Sequence, residues 1–338
     1  MYAPRGVCVT DDAVIVADTG NHRLLVWQSA LPDADHADAD VVIGQPDMTT
    51  EGPHLLFLPT GVIVHDGRLL VADAWHHRIL VWDEVPRTSA VPPSFVLGQA
   101  SVDDVDEGCG PQRFYWPFGL AVVDGALWVC DTGNRRVLGW LDGVPEPGQP
   151  ADVVLGQPDL VSRGENRDGP VAANSLRWPH ALCAVRGADG ARTLFVADAG
   201  NHRVLGWRGD VVEERGADVV LGQPGFESAV EFPYRPQGPR AFRFPYAVAS
   251  DGARLYVGDT SNNRVLVIDD ADATTVVEPV GGAVDHVLGQ PDLDANGENR
   301  WNRVEHDTFC WPYGLAHREG LLAVADSGNN RCVLWSVP

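Results

Sequence analysis

The chain has 338 residues, 47 Asp plus Glu against 25 basic side chains that are all Arg, and a net charge of −22. The acidic balance excludes a phosphate-neutralising nucleic-acid surface, and the absence of Lys excludes lysine Schiff-base or general-base chemistry. Neither a PLP nor a nucleotide signature occurs, no apolar run is long enough to span a membrane or serve as a signal peptide, and six Cys without metal-finger spacing read as thiols of a cytoplasmic protein.

In chain order, the predicted elements repeat six times. Each unit opens at a proline: Pro4, Pro59, Pro117, Pro179, Pro245 and Pro312. A short apolar run follows (Gly61–Val64 in the second unit), then a Gly/Asp turn, then a second run ending in Asp, such as Leu69–Asp73. Five residues after each Asp stands an Arg: 18/23, 73/78, 131/136, 198/203, 259/264 and 326/331. The Arg starts a third run, and a fourth ends in Gly-Gln at Gln45, Gln99, Gln157, Gln223 and Gln290. Runs of four to six residues, rich in Val, Leu and aromatics and bounded by turn residues, predict strands. The Asn-Gly type turns are expected to supply positive φ, and each Asp and Arg to pair across their turn. The Gln is expected to close backbone hydrogen bonds at a blade rim.

Four strands per unit and six units predict one all-β domain over 1–338, a six-bladed β-propeller. The blades fall near 4–47, 59–101, 117–159, 179–225, 245–292 and 312–338. The sixth unit has no Gly-Gln run, so a three-stranded blade is expected, with 331–337 as a free edge open to pairing with another chain.

The motif Leu-x-Val-Ala-Asp-x-Gly-Asn-x-Arg with its Pro-x-Gly lead resembles the NHL repeat family. The resemblance implies a ring whose Pro-led strands line a central channel. The amidating lyases of similar architecture imply three zinc-binding His after the Pro of alternate blades; only His180 matches here, and Thr60, Phe118, Tyr246 and Tyr313 depart from that pattern. The carboxylate and amide ligands of Ca²⁺-dependent lactonase propellers are likewise not found at these strand starts.

Candidate functional residues lie where the repeats differ. From Gly-Gln to the next Pro the interval grows along the chain, through 15, 19, 23, 23 and 23 residues. Insertions gathered on one face mark a binding face. One such loop carries Arg235, Arg240 and Phe242, expected anchors for a partner together with Trp75 of the odd turn Trp75-His76-His77. Two others share Gly-Glu-Asn-Arg, at 164–167 and 297–300. Cys109 and Cys310 also lie in these loops and are expected near the surface.

The residues after each Pro (Arg5, Thr60, Phe118, His180, Tyr246 and Tyr313) would circle the channel mouth as an aromatic cup suited to a small organic ligand or a peptide side chain. His22, His77 and His202 share one repeat position and are candidate ligands for a divalent metal. Two functions follow. One is a non-catalytic scaffold binding a protein partner or small ligand, one setting being assembly of a larger enzyme. The other is a metal-dependent or acid–base lyase or hydrolase around His180, with Tyr246 or Tyr313 assisting.

Overall fold

A computed structural model describes residues 1–338 except 30, 33–34, 51, 189, 233–237, 270–283 and 338. It contains six antiparallel sheets in which sequence neighbours pair, five with four strands and one with three. The innermost strands are Gly6–Val9, Pro59–His65, Pro117–Val123, Pro179–Arg186, Pro245–Ser250 and Pro312–Arg318. Each packs against the next, and the last against the first, so the blades close a ring. The three-stranded blade is the sixth, Pro312–Arg318, Leu321–Asp326 and Arg331–Ser336. Apolar side chains interdigitate between neighbouring blades, and these interfaces form the core. Among the described residues no helix is long and apolar enough to cross a membrane.

The Asp–Arg pairs are clamps. Each Arg Nε donates to Asp Oδ2 at 2.8 Å in all six blades. The other oxygen, Oδ1, accepts the backbone N–H of the residue two before the blade's own Pro, as from Tyr115 to Asp131 at 2.7 Å. The Arg Nη groups donate to carbonyls of the long loops; Arg136 reaches Leu160, Gly110 and Arg113. One buried pair therefore fixes the turn and both loops above it. Burial pushes the Asp131 carboxyl up despite its Arg partner, so the clamp is a tightly satisfied buried pair, costly to break.

The turn differs from the expected type. The residues between Asp and Arg form a short 3₁₀ turn, and positive φ falls on the residue before the Arg rather than on the Gly-Asn. His22, His77, Arg135, His202, Asn263 and Asn330 all stand at φ 53–57°. The Asn is needed for its side chain instead: Asn134 Nδ2 donates to Asp131 Oδ2 at 2.8 Å.

Two surface expectations fail. Phe242 is 1% exposed and sits in the core between blades four and five. It stands three residues before its Pro, where Leu56, Phe114, Leu176 and Phe309 are buried in the other blades, so it is a packing residue and not an anchor. Cys310 is also buried, at 4% exposure, because its N–H is held by Asp326 at 2.7 Å. Burial raises its thiol to about 12.

Candidate functional site at the channel mouth

The Asp–Arg turns and the long loops share one face of the ring, where the inner strands begin. The residues after the prolines meet there at a channel of about 340 Å³. Arg5 lies over the Tyr313 ring at 4.8 Å. Tyr313 stacks on Tyr246 at 4.5 Å and 8° between planes. Tyr246 meets His180 at 4.4 Å, and His180 meets Phe118 at 4.5 Å. Five of the six post-Pro residues thus form one continuous wall. The sixth, Thr60, is 3% exposed and donates its hydroxyl to the Pro117 and Phe118 carbonyls.

A second tier stands above. Trp75, where other turns carry Gly or Ser, stacks on Trp116 at 5.1 Å and meets the edge of Phe118 at 6.3 Å. Trp178 stacks on Phe244 at 6.3 Å, and Phe244 on Tyr246 at 6.2 Å. Trp311 is 52% exposed. The tier is aromatic on the side of blades two to six, and the corresponding residue of blade one is Ala3.

Tier position is set by a clasp between blades. The residues before five prolines, Ala3, Leu58, Trp116, Phe244 and Trp311, hold φ of 44–54°, a left-handed conformation that bulky side chains rarely adopt. Each backbone N–H is captured by the left-handed turn residue of the preceding blade. Leu58 donates to His22 Nδ1 at 3.1 Å, Trp116 to His77 Nδ1 at 3.3 Å and Phe244 to His202 Nδ1 at 3.3 Å. Asn263 and Asn330 do the same through Oδ1 for Trp311 and Ala3. The three His proposed as metal ligands therefore stand in separate blades, each with Nδ1 accepting a backbone hydrogen bond. Burial lowers the pKa of all three, favouring the neutral ring that can accept.

Blade four is the exception. The preceding turn carries Arg135, which has no acceptor and donates to the Gly133 and Arg163 carbonyls instead. Trp178 accordingly does not take positive φ. Its carbonyl lies 3.1 Å from His180 Nδ1. A carbonyl only accepts, so Nδ1 carries the proton and Nε2 keeps its lone pair. Burial lowers the His180 pKa to about 3. Burial also raises Tyr246 well above the usual phenol range, with the neighbouring Tyr313 adding to the shift. Both shifts favour the uncharged side chains of His180 and Tyr246 at neutral pH.

Of the loop anchors, Arg240 is exposed and Arg235 lies outside the described residues. The paired Gly-Glu-Asn-Arg segments are structural: Asn166 exchanges amide hydrogen bonds with Asn201, and Asn299 with Asn329. The clasp and the Trp178–His180 contact were missed from sequence. The available signal was Arg135, standing where the other five turns carry His or Asn.

An NHL repeat model matches residues 1–27. NHL repeat-containing protein 2 of Bos taurus is 24% identical over 299 residues, covering 82% of this chain and 38% of its own length. Hydrazine synthase of Kuenenia stuttgartiensis aligns with a TM-score of 0.51 at 11% identity, over 100% of this chain and 96% of that one. A protein of unknown function from Bacteroides thetaiotaomicron aligns at 0.53 and 13% identity, over 99% and 69%. At these identities the solved structures report the fold alone.

Proposed function

We propose that this six-bladed propeller, whose repeats are similar to NHL repeats, is a non-catalytic binding scaffold whose channel mouth and long-loop face capture a protein partner. The partner would insert an aromatic or apolar side chain into the cup, with a carboxylate directed to Arg5. The observation that carries this reading is the unbroken wall Arg5–Tyr313–Tyr246–His180–Phe118. Aromatic faces with one cation recognise organic groups and anions, and NHL propellers often serve as protein-binding scaffolds. Trp75 and exposed Arg240 extend the same face. A role in assembling a larger enzyme fits such a scaffold.

The acid–base alternative is less well supported. A histidine whose pKa is lowered to about 3 is a weak base at neutral pH, far from the poise a general base needs.

The test is affinity capture from lysate of the source cells by the wild-type protein and by Tyr246→Ala/Tyr313→Ala, read by mass spectrometry. A partner kept by the wild type and lost by the variant is expected. Equal retention removes the cup from the interface. Stoichiometric Zn²⁺ or Ca²⁺ in the purified protein would instead revive the enzyme reading.

A further inference from the structure

A different surface, on the flank of the ring, is incomplete in a way the other five blades define. The strand Arg331–Ser336 has no neighbour on its outer side among the described residues. It is half-buried where the equivalent strand Arg203–Arg208 is almost wholly buried. A groove of about 1180 Å³ lies over it.

Each complete blade shows what belongs there. Its fourth strand pairs antiparallel with the third, Leu221 opposite Val204 and Val219 opposite Gly206. A Gly at positive φ follows, 86° at Gly222, where an added Cβ would strike Phe242 at 2.3 Å. The next residue, Gln, donates through Nε2 to the carbonyl of the left-handed turn residue, as Gln223 to His202 at 3.2 Å. Three residues later a backbone carbonyl accepts from the clamp Arg, as Phe226 from Arg203 Nη1 at 2.6 Å. The same pair of contacts recurs in all five complete blades.

Blade six presents the receiving half of every contact. Arg331 places Nη2 on the Glu305 and Thr308 carbonyls, but among the described residues its Nη1 has no acceptor, and no Gln amide reaches the Asn330 carbonyl. Trp335 Nε1 has no acceptor there either, whereas Trp207 donates to the Arg215 carbonyl at 3.0 Å. Met1 holds the position of Phe242, three residues before its Pro, yet is 40% exposed.

We propose that this edge is a docking site for an extended segment of a partner protein, added antiparallel as the fourth strand of blade six. Its sequence class is apolar-Val-Leu-Gly-Gln-Pro-x-apolar. Leu would face Cys332, Gly would cover Met1, Gln would reach the Asn330 carbonyl, and the last carbonyl would reach Arg331. Main-chain pairing supplies affinity and the Gly-Gln step supplies selectivity. Within these 338 residues all five Gly-Gln strands are already paired in their own blades, and pairing two Arg331–Ser336 edges brings no Gly-Gln, so neither supplies the occupant assigned to a partner.

The probe is a labelled peptide copying residues 219–226, Val-Val-Leu-Gly-Gln-Pro-Gly-Phe, behind a Gly-Ser-Arg leader, added to the intact protein. Saturable 1:1 binding by fluorescence anisotropy is expected, with new amide-exchange protection confined to 331–336. Changing the peptide Gln to Ala should weaken binding about tenfold, the loss of one buried hydrogen bond. Changing its Gly to Ala should abolish binding. Because only the peptide is altered, protein stability does not confound the comparison. No binding, equal binding of the Gln and Ala peptides, or protection elsewhere would overturn the proposal. So would Arg331–Ser336 amides already slow in the free protein, whether light scattering shows a dimer or a monomer, since the edge would then be filled by a second copy or by the chain itself.

Discussion

The acid at the end of each second strand accepts on both oxygens, and this makes the clamp sensitive to truncation in a graded way. Arg203 and Asp198 are both 0% exposed. Arg203→Ala leaves a buried carboxylate without its cation and three loop carbonyls or neighbours without a donor, an expected loss of about 3–5 kcal/mol. The Arg331 side chain is 26% exposed and among the described residues lacks the Nη1 contact, so Arg331→Ala should cost about 1–2 kcal/mol, since water can reach part of what is left. Urea unfolding of both variants checks the order; equal losses would mean that exposure does not grade the clamp. Phe242 offers a second contrast. A surface anchor could be truncated freely, whereas a residue 1% exposed in the core should lose about 3–5 kcal/mol as Phe242→Ala. The stretch from Arg240 to Arg243 looked like an exposed loop because its charges dominate the local composition. Only its offset from Pro245, shared with Leu56 and Phe309 before their own prolines, shows which side chain turns inward.

Between elements, the hydrogen bond from the left-handed residue of one blade to the strand start of the next is what positions the aromatic tier. His and Asn both accept and are interchangeable in this role. His202→Asn should therefore hold stability within about 0.5 kcal/mol, while His202→Ala should lose about 1–2 kcal/mol by leaving the Phe244 N–H unpaired; thermal unfolding separates the two. Blade four supplies the complementary experiment. Arg135→Asn offers Trp178 an acceptor, and drawing Trp178 into the clasp should remove the carbonyl that now holds His180 Nδ1–H. Imidazole ¹⁵N shifts would then report a mixture of tautomers in place of one, and an unchanged spectrum would show that Arg135 does not control the ring. The strands, the Asp–Arg pairing and the role of Gln were legible because each recurs with its flanking turn. The conformation inside the turn was not: Gly-Asn is the usual bearer of positive φ, yet here Asn is engaged by the Asp and the strain moves one residue on. Repetition exposes what is shared; the one departure, Arg135, acquires meaning only once the hydrogen bond it cannot make is known.

At the scale of the ring, blade six meets blade one without sharing a strand among the described residues. The closure combines apolar packing of Val7, Val14 and Val16 on Ala323 and Leu334 with Ser327 Oγ on the Pro4 carbonyl, the Ala3 N–H on Asn330 Oδ1 and Arg318 on Asp11. Its stability against acid combines two opposing effects. Mutual repulsion within a chain of net charge −22 relaxes as carboxylates gain protons, which favours the fold as pH falls. The histidines act the other way. His180 has its pKa lowered to about 3, from an ordinary value of 6.5, and His22, His77 and His202 are lowered too. Between those two values the unfolded chain binds protons that the folded chain refuses. This stabilisation is complete above pH 6.5 and is lost as pH falls toward 3. For His180 alone the loss at pH 4.5, two pH units below the ordinary value, is about 3 kcal/mol. Salt discriminates the effects, because it screens dispersed surface charge but not a buried ring. In 0.5 M salt, urea stability is expected to fall from pH 7 to pH 4.5, and His180→Gln, which titrates nowhere in that range, should shrink the fall by about 3 kcal/mol. A His180→Gln profile parallel to the wild type would mean that the ring is open enough to charge freely, and the neutral His180 of the cup wall would then hold only near neutrality.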